Sequence, residues 1–156
     1  PPSSAEYSRM STIDRAARFA LLALLATAVG ACSSDSPSEP DVDDPRVVKQ
    51  NPSFANDIQE IFTRKGCATS GCHGGAPGAG GLNLSASTAY DALVGVTALA
   101  EPVVRVIPGN ATDSYLVIRL EGRQTVGDRM PLGGSPLDNI DLTNVRNWIA
   151  QGAQRN

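Results

Sequence analysis

Cys67-Ala-Thr-Ser-Gly-Cys72-His73 is the segment that most restricts what this chain can become. It holds the sole histidine of the sequence, directly after the second of two closely spaced cysteines. Paired thiols can add across the vinyl groups of a haem, and the adjacent imidazole can then bind its iron, which is the chemistry behind the C-x-x-C-H signature. Here four residues separate the cysteines, so a small disulfide loop is the competing reading. A closed zinc site fails on ligand count, since it wants four Cys or His ligands and only three lie nearby.

The N-terminal text reads as a secretion signal starting at Met10, with residues 1–9 upstream of the true start. Arg15 and Arg18 supply a positive end, Phe19 to Val29 form a short apolar run, and small residues precede Cys32. Eleven apolar residues are too few to span a bilayer as a stable helix. Val29-Gly30-Ala31-Cys32 resembles the lipobox of bacterial lipoproteins, in which the cysteine is acylated and becomes the new N-terminus. That resemblance implies removal of residues 1–31, lipidation of Cys32 and two-chain anchoring to a membrane. Ser33 stands where an Asp would resemble an inner-membrane retention signal, which favours the outer membrane. The folded part is therefore expected in the periplasm or at the cell surface, where c-type haem is attached.

Without residues 1–31 the chain carries ten Lys and Arg against fourteen Asp and Glu, and no basic patch. No nucleic-acid partner is expected, because phosphates demand clustered cations. Residues 32–51 form the lipidated cysteine followed by a polar, acidic, Pro-containing tether with too little apolar content to fold. Residues 52–156 are one small domain. Its core is marginal for its size and poor in aromatic residues, a deficit that a buried haem would fill.

Periodicity predicts a helix over 54–64, with Phe54, Ile58, Ile61 and Phe62 on one face. A second is expected over 112–120 from a Thr-Asp-Ser cap signal, and a shorter one over 87–94. A last helix spans 139–151, with Asp138 as N-cap, Leu142, Val145, Trp148 and Ile149 inward, and Gly152 as the stop. Pro102 to Pro108 reads as extended and much of the rest as Gly-rich loop. The expected class is mostly α, with three to four helices and long loops.

Met130, the only methionine beyond the signal segment, lies in Gly127-Asp128-Arg129-Met130-Pro131. Polar, Gly-rich surroundings are poor for a core methionine, whereas a thioether is a soft axial ligand that raises a haem's potential when paired with His. A helix, a paired-cysteine histidine motif, a Met-Pro loop and a final helix bearing Trp148 together resemble the class I cytochrome c fold. More narrowly, the segments FANDIQEIF, CATSGCHGG, GLNLS, VIPGN, SYLV, RMP and WIAQGA are similar to single-haem cytochrome c domains of environmental bacteria. The likeness covers about residues 52–154. It implies one covalent haem c per chain, with Cys67 and Cys72 as attachment points and His73 and Met130 as iron ligands. In Gly81-Leu82-Asn83-Leu84, Leu82 takes the place of a proline whose carbonyl orients the ligand histidine, and Leu84 would pack on the haem. Arg105, Arg119 and Arg129 could pair with haem propionates, but a solvated surface role is the expectation for each. For Asn83, Tyr90 and Tyr115 it is packing. Gly74, Gly75, Gly78, Gly80 and Gly81 would let backbone pass close to the haem edge.

The function this implies is one-electron transfer by a membrane-tethered carrier, not an enzyme, with a redox protein as partner. The alternatives are a haem enzyme or gas sensor with an open iron site, or a haem-free binding module with a Cys67–Cys72 disulfide.

Overall fold

A computed structural model of the chain describes residues 46–156. The expected signal segment, Cys32 and most of the tether therefore lie outside the described residues. Among the described residues the fold is mostly helical and contains no β-strands, only isolated bridges such as Val94 with Val106 and Thr97 with Val104. No described helix is long and apolar enough to cross a membrane.

A π-helical turn, Phe54–Ile58, runs directly into α1, Gln59–Arg64. Ser53 caps this unit: its hydroxyl accepts from the Asn56 amide, while its own amide donates to Asp57. The first helical N–H groups, which have no partner within a helix, are taken by Asn156: Phe54 N donates to Asn156 Oδ1 and Ala55 N to its carbonyl. Phe54, Ile58, Ile61 and Phe62 are all buried, the face expected from their spacing. A 3-10 turn at Ala79–Gly81 precedes α2, Ala89–Leu93.

Helix α3, Tyr115–Glu121, starts three residues later than its cap signal indicated. Residues 110–114 form a turn instead, in which Asn110 and Asp113 exchange hydrogen bonds. The hydroxyl of Ser114 is spent backwards, donating to Asn110 O and accepting from Ile107 N. Gly122, at φ +75°, ends α3 in the left-handed conformation that only glycine adopts cheaply.

Helix α4, Asn139–Ala150, is capped by the Asp138 carboxylate as its sequence predicts. Its inner face meets the π-helical turn and α2 through aromatic rings. Phe54 lies 5.2 Å from Tyr90 and 5.1 Å from Trp148, centroid to centroid. Both polar tips are satisfied, with Tyr90 Oη donating to Ala153 O and Trp148 Nε1 to Gln154 O.

Asp141, read from sequence only as a first-turn acid, is 1% exposed. Its Oδ1 meets Arg46 and Arg64, each at 2.8 Å, and its Oδ2 lies 3.4 Å from Lys65. Asp138 shares Arg46 and Lys65. Residues 46–50 accordingly lie along α4 rather than free of the domain. Lys49 N donates to Asn144, whose amide donates back to Val47 O, and Asn147 and Gln151 donate to the carbonyls of Lys49 and Gln50. The expected boundary at residue 52 is thus too late. Composition spoke for a solvated tether, but the partners of this stretch are polar side chains about a hundred residues away.

In Asp141→Ala the cations keep other carboxylates, Arg46 and Lys65 at Asp138 and Arg64 at Glu60. What is lost is charge-assisted hydrogen bonding, and urea unfolding should show stability lower by about 1.5–3 kcal/mol. Burial pushes the Asp138 carboxyl up, but the Asp141 amide and the Arg46 guanidinium outweigh it and hold the group below the usual carboxylate range. Its contribution is complete above the unfolded value of about 3.9 and vanishes as pH falls through the lower folded one. Asp138→Asn keeps a capping oxygen, so its stability should fall less steeply than the wild type's below about pH 4, as followed by urea unfolding at stepped pH.

Candidate haem-binding site

Where α1 ends, Cys67 N and Ala68 N both turn back to Phe62 O, and Gly66 reverses the chain at φ +72°. The four residues between the cysteines then close into a compact turn. Cys72 N and Gly74 N donate to Thr69 O, and His73 N donates to Cys67 O at 3.0 Å. Cys67 and His73 are therefore brought together despite the long spacing. The turn requires glycine at 74, where a Cβ would stand 2.3 Å from Ala68 O.

The two cysteines are free thiols in unlike settings. Cys67 packs half-buried against the core, and Cys72 is exposed. Burial pushes the Cys67 thiol above its usual pKa, so it keeps its proton at neutral pH.

His73 Nδ1 lies 3.0 Å from the carbonyl oxygen of Ala79. A carbonyl only accepts, so Nδ1 carries a proton, and in the neutral ring that leaves Nε2 with its lone pair. The orienting carbonyl thus belongs to Ala79 and not, as the sequence reading had it, to Leu82. The cause is the 3-10 turn: it sends the Leu82 carbonyl back against Gly78, where a Cβ would stand 2.1 Å from that oxygen. Ala79 O also accepts from Leu82 N, so both its lone pairs are used. Leu82 itself is half-buried against the core, and Leu84, fully in it, donates its amide to His73 O at 2.7 Å. At 74 and 78 the glycines serve close approach of this loop to itself.

Met130 arrives by a different route. It packs half-buried on the same core, and its amide donates to Arg119 O of α3 at 2.9 Å. The next residue back, Arg129, has a buried Nε without a hydrogen-bond partner. Around these loops stand exposed apolar side chains, Leu99, Val126 and Leu132. Glu101 ties two of their loops together by accepting from Tyr115 Oη, Thr125 Oγ1 and Val126 N. Asn83 Oδ1 accepts from Ser85 N, Tyr90 Oη donates to Ala153 O, and Tyr115 Oη donates to Glu101.

The cations divide sharply. Arg46, Lys49, Arg64, Lys65, Arg123, Arg146 and Arg155 each pair with a carboxylate. Arg105, Arg119 and Arg129 have none among the described residues, and all three border the His73 or Met130 loops. Arg105 is no surface residue either. It is 7% exposed, and burial lowers its pKa. Sequence reasoning missed its role because its partners are backbone carbonyls, which leave no residue-type signature.

No protein-family model, curated protein or solved structure matches this chain. The residues present nevertheless fit a c-type haem. His73 shares a hydrogen-bonded turn with the two cysteines, apolar groups are left uncovered, and an orphaned Arg129 nitrogen next to Met130 can serve a carboxylate.

Gly78→Ala places a side chain at φ +73° and against the Leu82 carbonyl. The left-handed conformation alone costs a non-glycine residue about 1–2 kcal/mol. The Leu84 amide, which closes this loop onto His73, should then exchange with solvent roughly tenfold or more faster in native-state hydrogen exchange.

Proposed function

We propose that this protein is an extracytoplasmic one-electron carrier with a class I cytochrome c-like fold and one covalent haem c. The observation that carries the reading is the His73 ring, fixed through Nδ1 by a backbone carbonyl with Nε2 free, in a turn that joins it to Cys67. A hydrogen bond of this kind, made by the ring nitrogen that faces away from the metal, fixes a ligand histidine's tautomer and raises its basicity.

Each residue has a distinct task. Cys67 and Cys72 would hold the haem covalently, each thiol being available for addition to a vinyl group, a reaction that consumes no oxidant. The raised pKa of Cys67 keeps its proton in place until addition. His73 and Met130 would be the iron's two protein ligands, and a haem held by both would serve a carrier rather than an enzyme or sensor. Leu82 would supply apolar contact on the histidine side, with Leu84 packed behind it in the core. Arg119 and Arg129 offer positive charge to propionates. Bound there, the haem supplies the reversible Fe(III)/Fe(II) couple. Exposed Leu99, Val126 and Leu132 suit a small, transient contact with a redox protein partner. Acylation at Cys32 would tether the domain to a membrane, the outer one favoured.

The test is the absorption spectrum, oxidised and reduced, of chain made in a haem-maturing periplasmic host, with a pyridine haemochrome assay on the same sample. One haem per chain and a far-red methionine–iron band that is lost in Met130→Ala are the expected results. A haemochrome shifted toward a single thioether would mean that exposed Cys72 stays unlinked. Absence of haem would overturn the proposal.

A further inference from the structure

Arg105 holds an unusual place in this molecule: a buried guanidinium whose hydrogen-bond partners are all main-chain oxygens. Nη1 donates to Ala92 O at 2.8 Å, and Nη2 reaches Gly81 O at 3.2 Å and, more weakly, Gly80 O at 3.3 Å. The last two belong to the turn whose first residue, Ala79, holds the His73 ring. The backbone of Arg105 reaches the other way. Its carbonyl accepts from Leu116 N in the first turn of α3, at 2.9 Å. Three residues on in that helix, the Arg119 carbonyl holds Met130 N. One residue therefore stands between the two loops, joined to the histidine loop by side chain and to the methionine loop by backbone.

We infer that Arg105 is a positioning residue for His73, clamping the 79–81 turn and so fixing the carbonyl that orients the imidazole. This rests on the electron-carrier reading for its consequence, but the geometry concerns the chain alone. A buried charge is expensive unless fully hydrogen-bonded, and spreading it over three carbonyls meets that need while locking the turn. The planar fork of arginine spans several acceptors at once; a lysine, as a point charge on a flexible stem, does not. Clamping by side chain alone makes the effect one-sided: changing the side chain loosens the histidine loop and leaves the backbone link toward Met130 in place.

The experiment compares the full haem-loaded chain with Arg105→Gln and Arg105→Lys. It reads solvent exchange of the His73 ring Nδ1 proton by NMR and the methionine–iron band in the same samples. In Arg105→Gln the ring proton should exchange about tenfold or more faster, as expected when the turn that holds its acceptor opens more often, with the methionine band retained. Arg105→Lys should behave like Arg105→Gln. Unchanged exchange in a folded Arg105→Gln overturns the inference, as does full restoration by Lys, which would mean that charge alone suffices. Equal loss of both signatures would mark a general structural role and also overturn it. If Arg105→Gln does not fold, Arg105→Lys carries the same reading. A wild type without haem refutes the electron-carrier reading instead. The clamp is then tested in that haem-free chain by the ring 15N shifts, which should show the Nδ1–H tautomer of its single histidine in wild type and lose it in the variants.

Discussion

A single buried carboxylate organises this domain. Asp141 lies at the start of α4, yet the groups that neutralise it come from the end of α1 and from residue 46. Ion pairs of this sort add little net stability compared with an apolar core, because desolvation offsets most of the attraction. What they do is forbid alternatives. Any packing of α1 on α4 that separates Arg64 and Lys65 from Asp141 strands a charge in the interior. Two residues after Arg64 the chain turns at Gly66 into Cys67, so the same constraint sets where the cysteine turn begins.

From that fixed point the site is assembled by main-chain hydrogen bonds more than by side chains. Residues 67–74 close on themselves, residues 79–84 close onto 72 and 73, and glycines at 74 and 78 permit approaches that a Cβ would block. The geometry at His73 thus follows from loop closure. Arg105 then links this unit to α3, and α3 to Met130. The design sets a rigid histidine side against a methionine side reached through a helix.

How much of this was legible in the sequence depends on how far apart the partners are. The α1 and α4 faces were readable because burial of Phe54, Ile58, Val145 and Trp148 follows a 3.6-residue period. The Asp138 cap was readable because its partner is three residues away. The cysteines and histidine were readable as chemistry, but the carbonyl facing the ring was displaced from Leu82 to Ala79 because the tight turn at 79–81 has no periodic signal. Arg105, Asp141 and the docking of residues 46–50 were opaque for a common reason. Each makes its partnership across long sequence separations, with acceptors that any sequence supplies or with charges that look solvated in isolation.

That docking has a mechanical meaning. Asn144, Asn147 and Gln151 line one stripe of α4, and the chain from Val47 to Gln50 runs beside them. A pull entering the domain at Arg46 would meet these bonds together with the Arg46 ion pairs, and the load would be shared among them. Through Asp141, which Arg46 shares with Arg64 and Lys65, part of that load would reach the residues just before the Cys67 turn.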